Sequence, residues 1–346
     1  MRCPRSPLTA LTQRFTCTQP QLPAVRRRLA AQGLVPILDY AVETRGPTPA
    51  APTPDAPKVR DAAYILTQAF KDHPGTTFAL KWSALGYDPV LADDVVGAAL
   101  AHDVTVLLDA ERTDAHDATA ALADRWMRAH NAPDAPPCVY KTYQMYRRDA
   151  PAQFAADLLD PTRAHPLGIK LVRGAYLHEE RHTGLLCRTA EETHAQYDEA
   201  VQLFARHHRP GDVLMCATHN RHSVAQARAS GLGRAMAAVE AVEAVEAVEE
   251  AAEAANAPPV ATQPWTPTRD AVTCHSVAVA PPPVPPPPPP ETSPLVFAQL
   301  LGMHDALSHE LVAQGYKTYK YVPFGPFWAT VPYLVRRGYE HWGRGG

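Results

Sequence analysis

Chemistry-bearing side chains recur in this chain at one kind of place, the end of a short apolar run. Lys81 follows Thr77 to Leu80, and Asp109 closes the run from Val104. Tyr143 and Gln144 end the run from Cys138, Arg173 and Tyr176 follow Ile169 to Val172, Thr218–His219–Asn220 end the run from Val213, and Tyr321 lies near the end of Tyr316 to Val322. Any one of them is readable as a surface or rim residue. Repeated at successive run ends, they form the pattern of a barrel whose chemistry sits at the C-terminal ends of its strands. Lys170 lies inside the run Ile169 to Val172, where a lysine is costly unless it faces a charge or a polar ligand. Near the end of the chain, Arg336 and Arg337 sit on a helix pattern with Val331, Leu334 and Val335 on one side. An arginine pair there can be a solvated face. It is also the natural bidentate clamp for a carboxylate, with an aromatic-rich strand end ahead of it as an apolar wall.

The elements that must position these residues alternate. Short β-branched or apolar runs at Val35–Tyr40, Thr77–Lys81, Val104–Asp109, Cys138–Tyr143, Ile169–Val172, Val213–Thr218, Val296–Leu301 and Tyr316–Val322 read as eight strands. Between them lie segments of helical spacing: Val59–Phe70, Pro89–Ala101, Ala115–Ala129, Pro151–Leu159, Glu191–His207 and Ser223–Ser230. Pro323, Gly325 and Pro326 are expected to break the last strand into a turn before the terminal helix. Strand-then-helix alternation indicates a parallel sheet, and eight strands suit a closed (βα)8 TIM-like barrel. An open doubly wound sheet is the other reading; against it, no GxGxxG follows the first strand, and Gly231–Leu232–Gly233 lacks the third glycine.

With 346 residues, 46% of them apolar, and a net charge of −3, a large core is easily formed and no bulk attraction to nucleic acid is implied. The six cysteines lie far apart with no CxxC pair, which argues for reduced thiols rather than a zinc or disulfide framework. His219 and His222, three apart, and His178 and His182, four apart, raise metal ligation as a rival. Among 16 histidines such spacings arise by coincidence, no HExxH occurs, and no catalytic metal is expected.

The first 38 residues carry several arginines and no Asp or Glu, the composition of a mitochondrial transit segment, assigned here to residues 1–25. The plainer reading is an irregular N-terminus whose Arg26–Gln32 piece is a helix entering the domain. The 36 prolines, about twice ordinary usage, cluster. A fourfold AVE repeat from Ala238 and a nearly pure proline tract over Pro281–Pro290 mark residues 237–293 as a low-complexity insertion between the sixth and seventh βα units. A period of three walks valine around a helix and forms no single apolar face, and the proline tract must be polyproline II. A tolerated surface expansion is favoured over a docking site for an SH3-type partner. The barrel is thus assigned to residues 26–236 and 294–346.

A family resemblance covers most of the chain. LDYAVE (Leu38 to Glu43), FALKWSALG (Phe78 to Gly86), LLDAE (Leu107 to Glu111), TYQMY (Thr142 to Tyr146), KLVRGAYL (Lys170 to Leu177), ATHN (Ala217 to Asn220), QLLGM (Gln299 to Met303) and KYVPFGP through LVRR resemble, in order, the strand-end motifs of proline dehydrogenases. The resemblance implies a flavoenzyme with non-covalent FAD across the barrel mouth, oxidising L-proline to Δ1-pyrroline-5-carboxylate and passing electrons to ubiquinone. It implies mitochondrial residence on the matrix side of the inner membrane, with peripheral association. Carried over residue by residue, Arg336 and Arg337 would grip the substrate carboxylate, with Glu340 one turn on to pair with them. Lys81 would line the substrate side and Asp109 would hold polar neighbours in place. Tyr176, Leu300 and Tyr321 would enclose the pyrrolidine ring. Gln144, Lys170, Val172, Arg173, Gly174, Thr218, His219 and Asn220 would contact the flavin. Lys141 departs from the Asn or Gln usual before TYQ, which questions a flavin contact there. Lys170 is lysine, as in mitochondrial members. Hydroxyproline dehydrogenase shares the fold and clamp; Tyr321, whose ring should crowd a 4-hydroxyl, favours proline. A reading from another class is a non-catalytic barrel scaffold that uses its proline tract to bind partners.

Overall fold

The computed structural model of the chain describes residues 15–42, 49, 51–232, 293–326 and 330. Eight strands close into a barrel in sequence order: β1 (Leu34–Tyr40), β2 (Thr77–Leu80), β3 (Thr105–Leu108), β4 (Val139–Gln144), β5 (Gly168–Val172), β6 (Val213–Ala217), β7 (Leu295–Leu300) and β8 (Thr318–Phe324). All neighbours are parallel, and β8 closes on β1 in a register running from Leu34↔Thr318 to Tyr40↔Phe324. Helix α1 (Leu22–Ala30) precedes the barrel. The connections carry α2 (Pro57–Asp72), α3 (Pro89–Leu100), α4 (His116–His130), α5 (Ala150–Leu159), the short α6 (Leu177–Glu180) with α7 (Ala190–His207), α8 (Arg221–Ala229) and α9 (Asp305–Ala313). The expected (βα)8 barrel is the observed one.

Period-two alternation explains why the strands read as apolar runs: both of their faces are covered. Outward side chains such as Leu38, Phe78, Leu108, Ile169, Leu171, Phe297 and Phe324 meet the helices in one core. Inward ones, including Ile37, Ala79, Leu107, Tyr140, Met215, Val296, Tyr319 and Tyr321, fill the barrel as a second cluster. Phe78 packs edge-on against Phe70 at 4.8 Å and Phe324 at 6.4 Å, tying strands β2 and β8 to α2. Helix starts are capped from the sequence: Asp88 accepts from Leu91 N at 2.8 Å, and Thr189 from Glu192 N at 3.2 Å.

Two expectations are corrected. Strand β8 runs through Pro323 to Phe324 instead of stopping before it. The proline's carbonyl accepts from Cys17 N at 3.0 Å, and Gly325, at φ +143°, makes the break that Pro323 was expected to begin. The first helix begins at Leu22 rather than near Arg26, because Leu22 and Leu29 are buried and a proline sits in its first turn. The repeat and proline tract, residues 1–14, and Arg336, Arg337 and Glu340 lie outside the described residues. No helix among the described residues is long and apolar enough to cross a membrane.

Strand β5 begins at a glycine that its neighbours require. A Cβ on Gly168 would lie 2.4 Å from the Val139 carbonyl oxygen and 2.8 Å from the Tyr140 ring. Gly168→Ala should therefore destabilise the chain by about 1–3 kcal/mol, measured as a lower urea midpoint with an unchanged m-value.

Candidate active site

Alternation turns every second residue of a strand inward, so the last inward position of each strand lies at the C-terminal mouth. On β3 the residue beyond the strand is Asp109, held by its backbone N–H on the Leu80 carbonyl at 2.9 Å. Three side chains from three other strands converge on its carboxylate. Lys170 of β5 donates to Oδ1 at 2.5 Å, the Tyr321 hydroxyl of β8 donates to Oδ2 at 2.5 Å, and the Lys81 ammonium after β2 lies 3.4 Å from Oδ2. Lys170 also sits 4.8 Å from the centre of the Tyr321 ring, a cation–π contact. Lys170, costly inside an apolar run, thus has its compensating charge.

Lys81 has a second partner that reading of the sequence missed. It donates to Asp39 Oδ1 of β1, a carboxylate with no solvent exposure. Asp39 carried the same signal as Asp109, an acidic residue ending an apolar run, and its chemistry is equally that of a buried ion-pair partner. Two ammonium groups and two carboxylates therefore alternate in the order Asp39, Lys81, Asp109, Lys170 around the mouth.

A second group forms on the rims of β5 and β6. Arg173 donates to Thr218 Oγ1 at 2.6 Å, Ser223 Oγ at 2.7 Å and His194 Nδ1 at 2.9 Å, and stacks over the Tyr197 ring at 4.5 Å. Asn220 caps α8 by accepting from Ser223 N at 3.1 Å, and its own N–H donates to Thr218 Oγ1 at 3.1 Å. Arg173, Thr218 and Asn220 are brought together, with much of their hydrogen bonding spent on fixing one another. His219 stacks in parallel with His304, rings 4.3 Å apart. His304 has the left-handed backbone, φ +50°, and was not singled out from sequence. His222 lies 3.9 Å from Asp198, so the two histidines three apart serve different neighbours.

Five further expected residues, Gln144, Val172, Gly174, Tyr176 and Leu300, fall among the described residues. Gln144 donates through Nε2 to the carbonyls of Ala110 at 2.7 Å and Glu111 at 2.9 Å, while its buried Oε1 has no partner among the described residues. Val172 lies on the inward side of β5, and its carbonyl accepts from Met145 N at 2.8 Å. Gly174 has φ +131°, and a Cβ there would come within 2.4 Å of the Tyr146 ring. Tyr176 is buried at the start of α6, and Leu300 packs with the interior cluster. Three unforeseen polar residues brace these loops. Glu111 accepts from Ser83 N at 2.9 Å, Glu180 takes Thr113 N at 2.5 Å and the Tyr146 hydroxyl at 2.6 Å, and Lys320 donates to the Met303 carbonyl at 2.7 Å and pairs with Asp305 at 2.8 Å.

Lys141 faces the other way. Its ammonium meets Asp124 at 2.7 Å and Asp157 at 2.6 Å between α4 and α5, so the odd positions of β4 point to the helix layer. Its departure from the motif therefore lies behind the strand and leaves the barrel mouth untouched.

Burial opposes ionisation of Asp109, but Lys170 and Lys81 beside it, with hydrogen bonds from Lys170 and Tyr321, hold its carboxyl below the usual 3.8 at about 2. A carboxyl whose folded pKa is depressed contributes stability that is complete above about pH 4 and lost as pH falls towards about 2, here worth about 2 kcal/mol. Asp109→Asn should remove that dependence. Urea denaturation from pH 5 down to pH 2.5 should show a shallower loss of stability in the variant than in the wild-type chain.

The proline dehydrogenase family profile matches residues 29–247 and 286–341. Bovine (Bos taurus) hydroxyproline dehydrogenase is 31% identical over 262 residues, covering 71% of this chain and 45% of that protein. Mitochondrial proline dehydrogenase 1 of Arabidopsis thaliana is 28% identical over 253 residues, covering 70% of this chain and 40% of that one. The chain thus spans less than half the length of these curated relatives. The barrel superposes on proline utilization A of Bdellovibrio bacteriovorus, a structure inactivated by N-propargylglycine, with a TM-score of 0.67 at 16% identity, over 95% of this chain and 32% of that one. With a matching profile over most of its length, and a closed eight-stranded barrel, the chain belongs to the proline dehydrogenase family.

Proposed function

We propose that this chain oxidises L-proline to Δ1-pyrroline-5-carboxylate with FAD as its cofactor and ubiquinone as the electron acceptor. The observation that carries the reading is the Asp109 centre, where Lys81, Lys170 and Tyr321 from separate strands meet at the mouth of a barrel of this family. The residues present fit a flavin: Gln144 offers a buried, unpartnered carbonyl oxygen among the described residues, Lys170 a cation and the stacked His219–His304 pair a planar surface. Gln144, Lys170, Val172, Gly174 and His219 would hold the flavin, with Arg173, Thr218 and Asn220 fixing the rim behind it. When bound, the flavin supplies the acceptor for hydride from the ring carbon next to nitrogen.

The chain's own part is orientation. Arg336 and Arg337 are proposed to clamp the substrate carboxylate and Glu340 to pair with them. Tyr321, Tyr176 and Leu300 would wall the ring, and Lys81 would line the substrate side. Asp109 accepts from the Tyr321 hydroxyl, and the ring so held is proposed to crowd a 4-hydroxyl. The likeness to a hydroxyproline dehydrogenase favours a second reading, 4-hydroxy-L-proline as substrate. The names of mitochondrial relatives support a mitochondrial location, proposed on the matrix side of the inner membrane.

Purified protein supplied with FAD should show flavin absorbance that bleaches without oxygen on adding L-proline, and much more slowly with 4-hydroxy-L-proline. Faster bleaching by hydroxyproline would establish the second reading, bound flavin that neither substrate reduces would end both, and a well-folded chain that binds no flavin would point to a scaffold. In the same assay, Arg336→Met and Arg337→Met should each raise KM for proline about 100-fold, with a smaller change in kcat.

A further inference from the structure

The mouth of the barrel holds more charge than the roles above use. Asp109 has two oxygens and three claimants: Lys170 on Oδ1, and both Tyr321 and Lys81 directed at Oδ2. A lysine–carboxylate bond is charge-assisted on both sides, so an ammonium brought fully onto Oδ2 would crowd the neutral phenol that shares it. Yet the phenol is at 2.5 Å and the ammonium at 3.4 Å. Lys81 makes its closer contact with Asp39, a fully buried carboxylate on the neighbouring strand β1. Strand β1 lies directly beside β8, with Ile37 opposite Tyr321 and Asp39 opposite Pro323, so Asp39 and Tyr321 face inward on adjacent strands.

We propose that Asp39 is a positioning residue for the substrate-ring wall: by holding Lys81, it leaves Asp109 Oδ2 to the Tyr321 hydroxyl and so keeps the Tyr321 ring in place. This deepens, and rests on, the reading of Tyr321 as the group that separates proline from 4-hydroxyproline. In Asp39→Asn the ammonium loses its partner's charge and moves onto Oδ2, the phenol is displaced, and the ring, still beside Lys170, loses the hydrogen bond that sets its position. Asp39 then acts on selectivity through two intermediates, Lys81 and Asp109, and need not touch substrate.

The test is a double-mutant cycle of Asp39→Asn with Tyr321→Phe in the full chain, read in two ways. In urea denaturation, Tyr321→Phe should shift the unfolding constant about tenfold less when Asn stands at 39 than in the wild-type background. In the flavin assay, Asp39→Asn should narrow the proline-over-hydroxyproline ratio of kcat/KM by about tenfold. A merely structural role would lower both substrates together. In the Lys81→Met background the competitor is gone, so Asp39→Asn should leave both readouts where Lys81→Met put them. That double variant also removes a balanced pair of charges, and so keeps the test available if Asp39→Asn alone does not fold. Additive unfolding energies, an unchanged substrate ratio, or an effect of Asp39→Asn that persists without Lys81 would each overturn the proposal. The denaturation arm does not depend on turnover, so a wild-type chain that fails to oxidise proline defeats the functional reading while the coupling between positions 39 and 321 is still measured.

Discussion

Charge buried where water is scarce must meet opposite charge, and at this barrel mouth the requirement is met by alternation: Asp39, Lys81, Asp109, Lys170. Removing one member would leave another exposed to the full cost of desolvation, which for a broken buried pair is commonly about 3–5 kcal/mol. Because the four come from strands β1, β2, β3 and β5, with the Tyr321 hydroxyl of β8 on the same carboxylate, the network also staples the sheet across its opening. The same contacts therefore close the barrel and give it a polar, pre-oriented floor. Preorganised charge of this kind is what a site needs if its contribution is to hold a substrate in register with a cofactor.

The outer face of the barrel solves a similar problem differently. Lys141 sits between Asp124 and Asp157 under the helix layer, with the Tyr143 hydroxyl on Asp157 at 2.5 Å. Burial raises the Asp124 carboxyl against the pull of Lys141. Lys320 likewise points outward, binding the Met303 carbonyl and Asp305, and so pins the loop after β7 that follows Leu300. Burial lowers the Lys320 ammonium, with Asp305 opposing. Strand parity alone separates these bracing lysines from Lys81 and Lys170, which face the lumen.

Residue types and spacing determined a good deal. Alternating apolar runs and helical segments specify a parallel barrel because a strand covered on both faces must be apolar throughout. A polar residue at the end of such a run marks the mouth, and Lys81, Asp109 and Tyr321 were legible on that ground, Lys170 as a costly lysine inside its run. Asp39 carried the same mark within LDYAVE and was overlooked because one acidic residue at a strand end has many ordinary explanations. Glu111, Glu180 and Lys320 bond backbone groups of loops distant in sequence, and no local pattern announces such a partner.

What only the tertiary structure decided is pairing and direction. Sequence placed Lys81, Asp109 and Tyr321 at strand ends, but not that an ammonium and a phenol share one carboxylate oxygen across 212 positions of chain. It marked Lys141 as a departure beside the flavin motif, whereas the parity of β4 turns that side chain to the helices. It read Pro323 as a break, whereas contact with Cys17 carries β8 through it. Composition and periodicity are properties of neighbours along the chain, so they determine which elements form and which face is covered. Hydrogen-bond competition among charges is a property of neighbours in space, and it exists only once eight strands have closed.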